Sequence, residues 1–381
     1  MKTYKACVIG HTGRGDYGHS LEMALLGQPG IEVVAVADPD AAGRAKAAAR
    51  LKVENAYADY REMLEKHRPQ LVAICPRFLD GHKKAIEACA EFGAHVFCEK
   101  PLCPDLAEAD SIVATCEKHH IKLAMAMQSR YSPNWDRVLE LVNGGKIGEL
   151  LEVRTRGKED HRGGGEDLMV LGIHLMDLMR GLLGDASWCF ARVTDRGQSL
   201  SAEHVRVGAE GIGPLAGDRI DATYGFAKSP AVAYFASSRP KDAADRNKRF
   251  SNFIYGTKGV IEIRHGWLGP TFWLGEPSWT NADRKTEWKK ISSNGVDKPE
   301  TLPTAGGLHE GNVLIVKDLI RAIETDTQPK VSVYDGRAAL EMILAVYDSA
   351  RKNAPVSLPM TDRAQHPLKS LNLAANKPTG R

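Results

Sequence analysis

The sequence predicts an α/β chain in two parts: a doubly wound parallel sheet at the N-terminus, then an α+β domain with a large, mostly antiparallel open sheet. Three observations carry this. Apolar strand-like runs alternate with helix-like segments as far as Gln128; beyond it, strand-like runs follow one another with period-two alternation; and a glycine-rich turn joins the first strand to the first helical run. Continuously apolar strands separated by helices suit a parallel sheet covered on both faces, whereas alternating strands suit a sheet with one face packed and the other free.

In order, the strands KACVIG, IEVVAVAD, LVAIC, AHVFCEK and IKLAMAMQ are separated by the helical runs HSLEMALLG, AAGRAKAAARL, GHKKAIEACAEF and Asp105 to Lys118. Ser132-Pro133 then supplies an N-cap and a first-turn proline for a helix ending near Gly144-Gly145. The runs LLEVRTR, WCFARVT, IDATYGFA, AVAYFASS, NFIYGT and GVIEIRH read as strands. Between the second and third of these, the Gly-rich stretch Arg196 to Asp218 is a long connection of the kind that is functional or mobile. Two amphipathic segments, Gly311 to Glu324 and Asp335 to Lys352, close the fold as helices, and residues 355–381 read as an arm without a core of their own. The domains are therefore drawn at 1–127 and 128–381.

With 381 residues, 43% of them hydrophobic and 26% charged, the chain exceeds one modest core. A net charge of +3 arises from 51 basic and 48 acidic residues spread along the chain, which argues against nucleic acid as a partner. No segment approaches the roughly 20 apolar residues that span a bilayer. The start, MKTYKACVIG, lacks the apolar stretch and cleavage site of a signal peptide. Of seven cysteines, six fall in the first third and several sit in apolar strand runs, as reduced buried thiols do; no spacing suggests a metal site. A cytoplasmic protein without a membrane or metal partner is expected.

The strongest local signal is VIGHTGRGDYGHS, in which Gly13, Gly15 and Gly18 fit G-x-G-x-x-G between a strand and a helical run, with Gly10 a further flexible point. Such glycines let the backbone turn tightly and approach a pyrophosphate, whose charge meets the following helix N-terminus. Arg14 lies within the same turn. Asp38 ends the second strand 20 positions after Gly18, where a carboxylate accepts from adenosine ribose hydroxyls and repels a 2′-phosphate. This favours NAD over NADP, although Arg44 nearby keeps NADP open. In HVFCEKPLC, Glu99-Lys100-Pro101 leaves a strand at the carboxyl edge of the sheet, where an ammonium can hydrogen-bond a substrate hydroxyl as its proton leaves.

Glu99-Lys100-Pro101 after such a nucleotide fold resembles the signature of the glucose-fructose oxidoreductase, inositol dehydrogenase and MocA (Gfo/Idh/MocA) family, in which the N-terminal part is a Rossmann domain. GKIGE at Gly145–Glu149, the glycines Gly163–Gly165, GIHLMD at Gly172–Asp177 and YGTKG at Tyr255–Gly259 resemble further blocks of that family, in order along nearly the whole chain. The resemblance implies hydride transfer between a nicotinamide and a secondary hydroxyl of a sugar, inositol or glycoside. It makes Lys100 and His174 catalytic and Asp177 a supporting acid near the substrate. Glu99 and Gln128 fall on the cofactor side of the cleft, with Arg130 and Tyr131 lining it toward the substrate. An imidazole at His174 would shuttle the hydroxyl proton near neutral pH.

One position departs from the family pattern. An aspartate commonly stands four residues before the histidine, and here it is Val170. Either Glu166 or Asp167, one turn further back, supplies the carboxylate, or Lys100 and His174 act without one; His161 and Arg162 are further substrate contacts. The basic run Arg239, Lys241, Arg246, Lys248 and Arg249 could meet an acidic substrate group, but reads first as a solvated face. The resemblance leaves room for a redox glycosidase that recycles its bound cofactor, and for a non-catalytic nucleotide or sugar sensor. It also implies a homodimer or homotetramer formed through the C-terminal sheet.

Overall fold

Parallel pairing in the first part begins with β1 (Tyr4–Ile9), which lies between β2 (Ile31–Ala37) and β4 (Leu71–Ile74) in the computed structural model. The structure describes residues 3–240, 249–277, 286–303 and 307–371. With β3 (Asn55–Tyr57), β5 (His95–Cys98) and β6 (Leu123–Met125), the sheet runs in the order β3-β2-β1-β4-β5-β6, parallel throughout. The strand order reverses between β1 and β4, and in open α/β sheets such a switch point opens a crevice at the carboxyl ends of the strands. Helices α1 (Ala41–Leu51), α2 (Tyr60–His67), α3 (His82–Glu91) and α4 (Leu106–Lys118) connect the strands. Asp40 caps α1 by accepting from the Gly43 N–H at 2.6 Å, and Asp105 caps α4 by accepting from the Glu108 N–H at 3.0 Å.

The helical run expected after the glycine loop is a five-residue 3-10 turn, Leu21–Leu25. Ser20 precedes it at φ 59° without a side-chain cap, and Leu26 is already extended. So short a turn sums few peptide dipoles. The short β3 and α2 have no counterpart among the sequence runs; β3 has three residues, none of them buried, and so shows no apolar run.

The second part opens with α5 (Pro133–Asn143) and β7 (Leu150–Arg156), followed by α6 (Gly165–Val170), α7 (Gly172–Leu183) and β8 (Ala186–Asp195). The long connection then carries the short strands β9 (Gln198–Ser199), β10 (Arg206–Val207) and β11 (Pro214–Leu215). Next come β12 (Arg219–Phe226), β13 (Ser229–Ser238), β14 (Ser251–Gly256), β15 (Gly259–Arg264), β16 (Thr271–Leu274), β17 (Lys289–Ser292) and β18 (Gly295–Val296). Helices α8 (Leu308–Glu324) and α9 (Val333–Lys352) precede β19 (Val356–Ser357). Among the described residues, one sheet runs β18-β17-β16-β15-β14-β7-β13-β12-β8-β19 with β9 on β8, and only the β7–β13 pair is parallel.

Along β13, Ala231, Ala233, Phe235 and Ser237 are buried while Val232, Tyr234 and Ala236 are half-exposed, as a one-sided sheet requires. The register sets Phe190, Thr223, Tyr234, Arg154, Phe253 and Glu262 side by side across the open face. The Arg154 guanidinium lies 4.8 Å from the centre of the Tyr234 ring. At one end of β7 the blocks Gly145–Glu149 and Tyr255–Gly259 meet: the Thr257 N–H donates to the Glu149 carbonyl and the Lys258 N–H to the Ile147 carbonyl.

The chain divides into two compact units that do not follow a single cut at 127. The first holds 1–128 together with 208–213 and 308–337; the second holds 129–207, 214–307 and the residues from 338 on. Helix α8 thus packs with the Rossmann unit, against the 3-10 turn Leu21–Leu25 and β6. The expected C-terminal arm is also corrected as far as Leu371. β19 extends the sheet at β8, Met360 and Leu368 are buried, and Glu341 accepts from the Met360 N–H at 2.8 Å. Residues 372–381, and Lys241, Arg246 and Lys248 of the basic run, lie outside the described residues.

Candidate functional site

At the carboxyl ends of the strands in the first unit, a cavity of about 370 Å³ is lined by Gly10, His11, Arg14, Pro39, Pro76 and Phe78, among others. The glycine loop that borders it is a small hairpin in which His11 and Asp16 pair. Gly15 has φ 85°, and a Cβ there would strike the backbone nitrogen of Arg77, so only glycine fits. At Gly18 a Cβ would strike the Cys75 carbonyl and the Glu99 carboxylate, which brings the end of the loop directly onto Glu99. Gly10 lies against the Tyr17 ring, and Gly13 faces open space. A crevice bordered by such a loop at the sheet's switch point fits the phosphates and adenosine of a dinucleotide.

The structure gives Asp38 a different part from the one expected. It is wholly buried. Its Oδ2 accepts from the Thr12 hydroxyl at 2.7 Å and the Tyr17 hydroxyl at 3.0 Å, its Oδ1 accepts from the Asp40 N–H at 3.0 Å, and the Thr12 N–H lies within 3.2 Å of both oxygens. Burial, then the Asp38 charge, pushes the Tyr17 phenol up, so the tyrosine remains the donor. Asp38 therefore shapes the loop, and the exposed carboxylate that follows it is Asp40, the N-cap of α1. Arg14 donates to Asp80 at 2.5 Å and lies over the Phe78 ring. Arg44 Nη1 donates to the Asp38 carbonyl at 2.6 Å.

Glu99 and Lys100 are buried just past β5. Glu99 Oε1 accepts from the Lys100 N–H at 3.0 Å, while Oε2 accepts from the His19 N–H at 3.2 Å and lies 2.9 Å from His19 Nδ1. Burial alone would raise the Glu99 carboxyl, but the charge and hydrogen bond of His19, with Lys100 behind them, hold it below the usual carboxylate range. Gln128 donates to Asn312 Oδ1 at 2.7 Å, and Asn312 donates to the His19 carbonyl at 3.2 Å. Sequence reading missed both His19 and Asn312. His19 follows the last glycine directly, which could have marked it, whereas nothing local marks Asn312.

In the second unit, α7 carries His174 and Asp177, both buried. Asp177 Oδ1 accepts from Arg130 Nη1 at 2.9 Å, and the same nitrogen donates to the Asp177 carbonyl at 3.2 Å. This pair anchors α7 to the turn Gln128–Tyr131. The His174 ring lies 4.5 Å from the His265 ring, which in turn lies 4.6 Å from Phe250. Ser129 Oγ is 2.9 Å from His265 Nδ1. His265 was not singled out from sequence, although it ends the strand-like run GVIEIRH. Tyr131 is buried in the same turn that supplies Ser129 and Arg130.

Of the two carboxylates expected to replace the one absent at Val170, Asp167 is bonded inside the second unit. Asp167 is wholly buried; its Oδ1 accepts from the Lys158 N–H at 3.2 Å, and its Oδ2 accepts from the Glu159 N–H at 3.1 Å and the Ser237 hydroxyl at 2.5 Å. Burial raises its pKa against these lowering bonds. Such a carboxylate staples the loop after β7 to β13, a structural part that was not expected of it. Gly163 and Gly165 belong to the same tight packing, against the Ser238 and Ala216 carbonyls. Arg162 is committed to Asp160 through bonds of 3.0 and 2.5 Å, and against the cost of burial this pairing holds the Asp160 carboxyl far down. His161 is 72% exposed. Arg249 of the basic run pairs with Glu159 at 2.6 Å.

All seven cysteines are free and buried, and burial pushes the Cys7 and Cys116 thiols up to about 12, which makes them poor nucleophiles and ligands. Among the described residues, no helix is long and apolar enough to cross a membrane, and no group of three or more His, Cys, Asp or Glu is placed to hold a metal ion.

Comparison with known proteins agrees with this architecture. Residues 4–127 match the model of an oxidoreductase family with an NAD-binding Rossmann fold, and residues 139–358 match its C-terminal alpha/beta domain. Levoglucosan dehydrogenase of Pseudarthrobacter phenanthrenivorans is 26% identical over 92% of this chain and 98% of that one. Myo-inositol 2-dehydrogenase of Thermotoga maritima is 30% identical over 36% of this chain and 42% of that one, and the chain spans about half the length of several other curated relatives. A solved structure of levoglucosan dehydrogenase in complex with NADH superposes with a TM-score of 0.75 at 21% identity, over 94% of this chain and 100% of that one, a likeness of fold. With both domain models matched in order over most of its length, the chain belongs to the Gfo/Idh/MocA oxidoreductase family.

Proposed function

We propose that the protein moves hydride between NAD and a secondary hydroxyl of a sugar, inositol or glycoside, with Lys100 and His174 handling the hydroxyl proton. The observation that carries this reading is the place of Lys100: a buried residue just past β5, at the edge where α/β sheets hold ligands and next to the glycine loop. When bound, the dinucleotide supplies the hydride acceptor or donor. An ammonium at Lys100 hydrogen-bonds the reacting oxygen and favours its alkoxide character, and a neutral His174 imidazole accepts the proton. The Arg130–Asp177 pair fixes the helix that carries the imidazole. Asp167 takes no part in the proton transfer.

NAD is favoured over NADP because Asp40 places a carboxylate just after β2 and Arg44 is turned onto backbone carbonyls there. Tyr131, His161 and Arg162 remain the proposed substrate contacts, with Arg162 held by Asp160. The open face of the second sheet, with Phe190 and Phe253 among charged residues, suits a second copy of the chain and hence a homodimer or homotetramer. The buried, free thiols suit the cytoplasm.

The test is NAD reduction over a panel of cyclic polyols and glycosides, combined with mass spectrometry of the nucleotide retained by the purified protein. NADH accumulating in proportion to one polyol supports the reading. Cleavage of a glycoside without net NADH replaces it with redox-neutral chemistry, and nucleotide binding without turnover of any compound replaces it with a sensor.

A further inference from the structure

We propose that His19 is a positioning residue for Lys100, acting through the buried carboxylate of Glu99. The inference rests on the reading of Lys100 as the group that meets the substrate hydroxyl.

Three observations converge on this arrangement. First, Glu99 is wholly buried and its two oxygens look in two directions: Oε1 accepts the Lys100 N–H at 3.0 Å, and Oε2 meets His19 through the backbone N–H at 3.2 Å and ring Nδ1 at 2.9 Å. A buried carboxylate is costly unless its oxygens are partnered; beside the two backbone N–H groups, the His19 ring supplies a side-chain partner that fixes where Oε2 sits. Second, the contact exists only because residue 18 is glycine, since a Cβ there would collide with the same Oε2. Third, His19 is itself fixed from behind: its carbonyl accepts from Asn312, which is buried in α8 and accepts from Gln128.

The result is a continuous polar chain, Gln128 to Asn312 to His19 to Glu99 to Lys100, that joins the end of the glycine loop, α8 and the reacting lysine. Glu99 grips the Lys100 backbone nitrogen, one bond from the Cα that bears the side chain, so the direction of that side chain depends on where Glu99 sits. That in turn depends on His19. The roles expected of Glu99 and Gln128 toward the cofactor are thereby complemented, because the polar atoms named here are used to hold protein to protein.

The test uses the full-length protein, NADH as the binding probe, and the best polyol found with NAD for turnover. His19→Ala, His19→Asn and Lys100→Ala are compared with a His19→Ala/Lys100→Ala double variant. His19→Ala is expected to lower kcat tenfold or more while the NADH dissociation constant stays within threefold. His19→Asn, whose amide nitrogen stands where Nδ1 did, is expected to recover most of that loss. In the Lys100→Ala background the His19 substitution should cost less than twofold, because its effect passes through the lysine. An equal loss in both backgrounds, or a fall in NADH affinity that matches the fall in kcat, overturns the proposal. If Lys100→Ala is impaired and His19→Ala is not, the proposal alone fails. Full turnover by Lys100→Ala overturns the reading of the lysine and the proposal with it. Should His19→Ala fail to fold, His19→Asn and His19→Gln carry the same comparison: Asn working and Gln failing supports the proposal, and equal full activity overturns it.

Discussion

The crevice around the glycine loop and the region around His174 are built in different ways. In the first, the chain is shaped by what cannot be there: side chains at Gly10, Gly15 and Gly18 would collide with Tyr17, the Arg77 backbone and Glu99. In the second, the chain is held by side chains that meet over long sequence separations: Arg130 with Asp177, Asp167 with Ser237, His174 with His265. Steric necessity leaves a trace in the sequence because only one residue type satisfies it. A long-range pair leaves none, because either partner is an ordinary polar residue in its own neighbourhood. The first region is therefore marked by its own residues, and the second only through a family resemblance.

The comparison is sharpened most by breaking the Arg130–Asp177 pair. Both side chains are largely shielded, and removing one partner of a buried ion pair typically costs about 3–5 kcal/mol. Asp177→Ala should therefore lower the melting temperature markedly and reduce turnover in proportion to the displacement of α7. Arg130→Ala should do the same, and the double variant should cost less than the sum of the two. Melting curves that do not move would release Asp177 from the anchoring role and leave it to the substrate side.

A smaller effect is expected at Asp167. Replacing it with Asn leaves one oxygen for three donors, a loss on the order of 1–3 kcal/mol by chemical denaturation. Turnover per folded molecule should remain within about twofold of wild type, well short of the loss expected for a positioned acid or base. A hundredfold loss of turnover at unchanged stability would instead place this carboxylate in the role left open by Val170.

The smallest effect concerns pH and the C-terminal segment. His366 is buried and its Nδ1 accepts the Leu368 N–H at 3.2 Å, which requires a neutral ring; burial, with Lys369 adding to it, lowers its pKa to about 3. Unfolded, the ring titrates near 6.5. The folded pKa is the lower one, so this contribution is complete above about pH 6.5 and is lost as pH falls toward 3, by at most about 1.4 kcal/mol per pH unit. His366→Asn keeps an acceptor without titrating, so its stability should fall less between pH 7 and pH 5 than that of wild type. Parallel acid profiles would separate His366 from the acid response.

The fold was legible wherever periodicity was strong. The parallel core strands, α4 and the alternating strands from β7 to β15 fall close to their sequence runs. The departures have physical causes. The run after Gly18 is helical in composition but stops at an extended Leu26, so it winds only a 3-10 turn. Helix α8 reads as part of the second domain by position, yet its Asn312 is bonded to Gln128 and to His19 in the first unit. The C-terminal prolines suggest a coreless arm, whereas Met360 and Leu368 are buried. In the candidate site, Glu99, Lys100 and the glycines were readable because a turn and a sheet edge define them locally. His19, Asn312, His265 and Ser237 were not, because their partners lie elsewhere in the chain. Asp38 stands out by its place at the end of a strand, but its neighbours are not those expected: Thr12 and Tyr17, two ordinary residues of the loop, occupy its oxygens.

The central claim is that Lys100 and His174 handle the proton of the reacting hydroxyl while other parts of the chain hold NAD. The most direct measurement is the turnover of Lys100→Ala and of His174→Ala on the best polyol, alongside the NADH dissociation constant of each variant by fluorescence titration. The account predicts a fall in kcat of about 10²–10⁴-fold for each substitution, with NADH affinity within threefold of wild type. Wild-type turnover in both variants, or a loss of NADH binding equal to the loss of kcat, would contradict it.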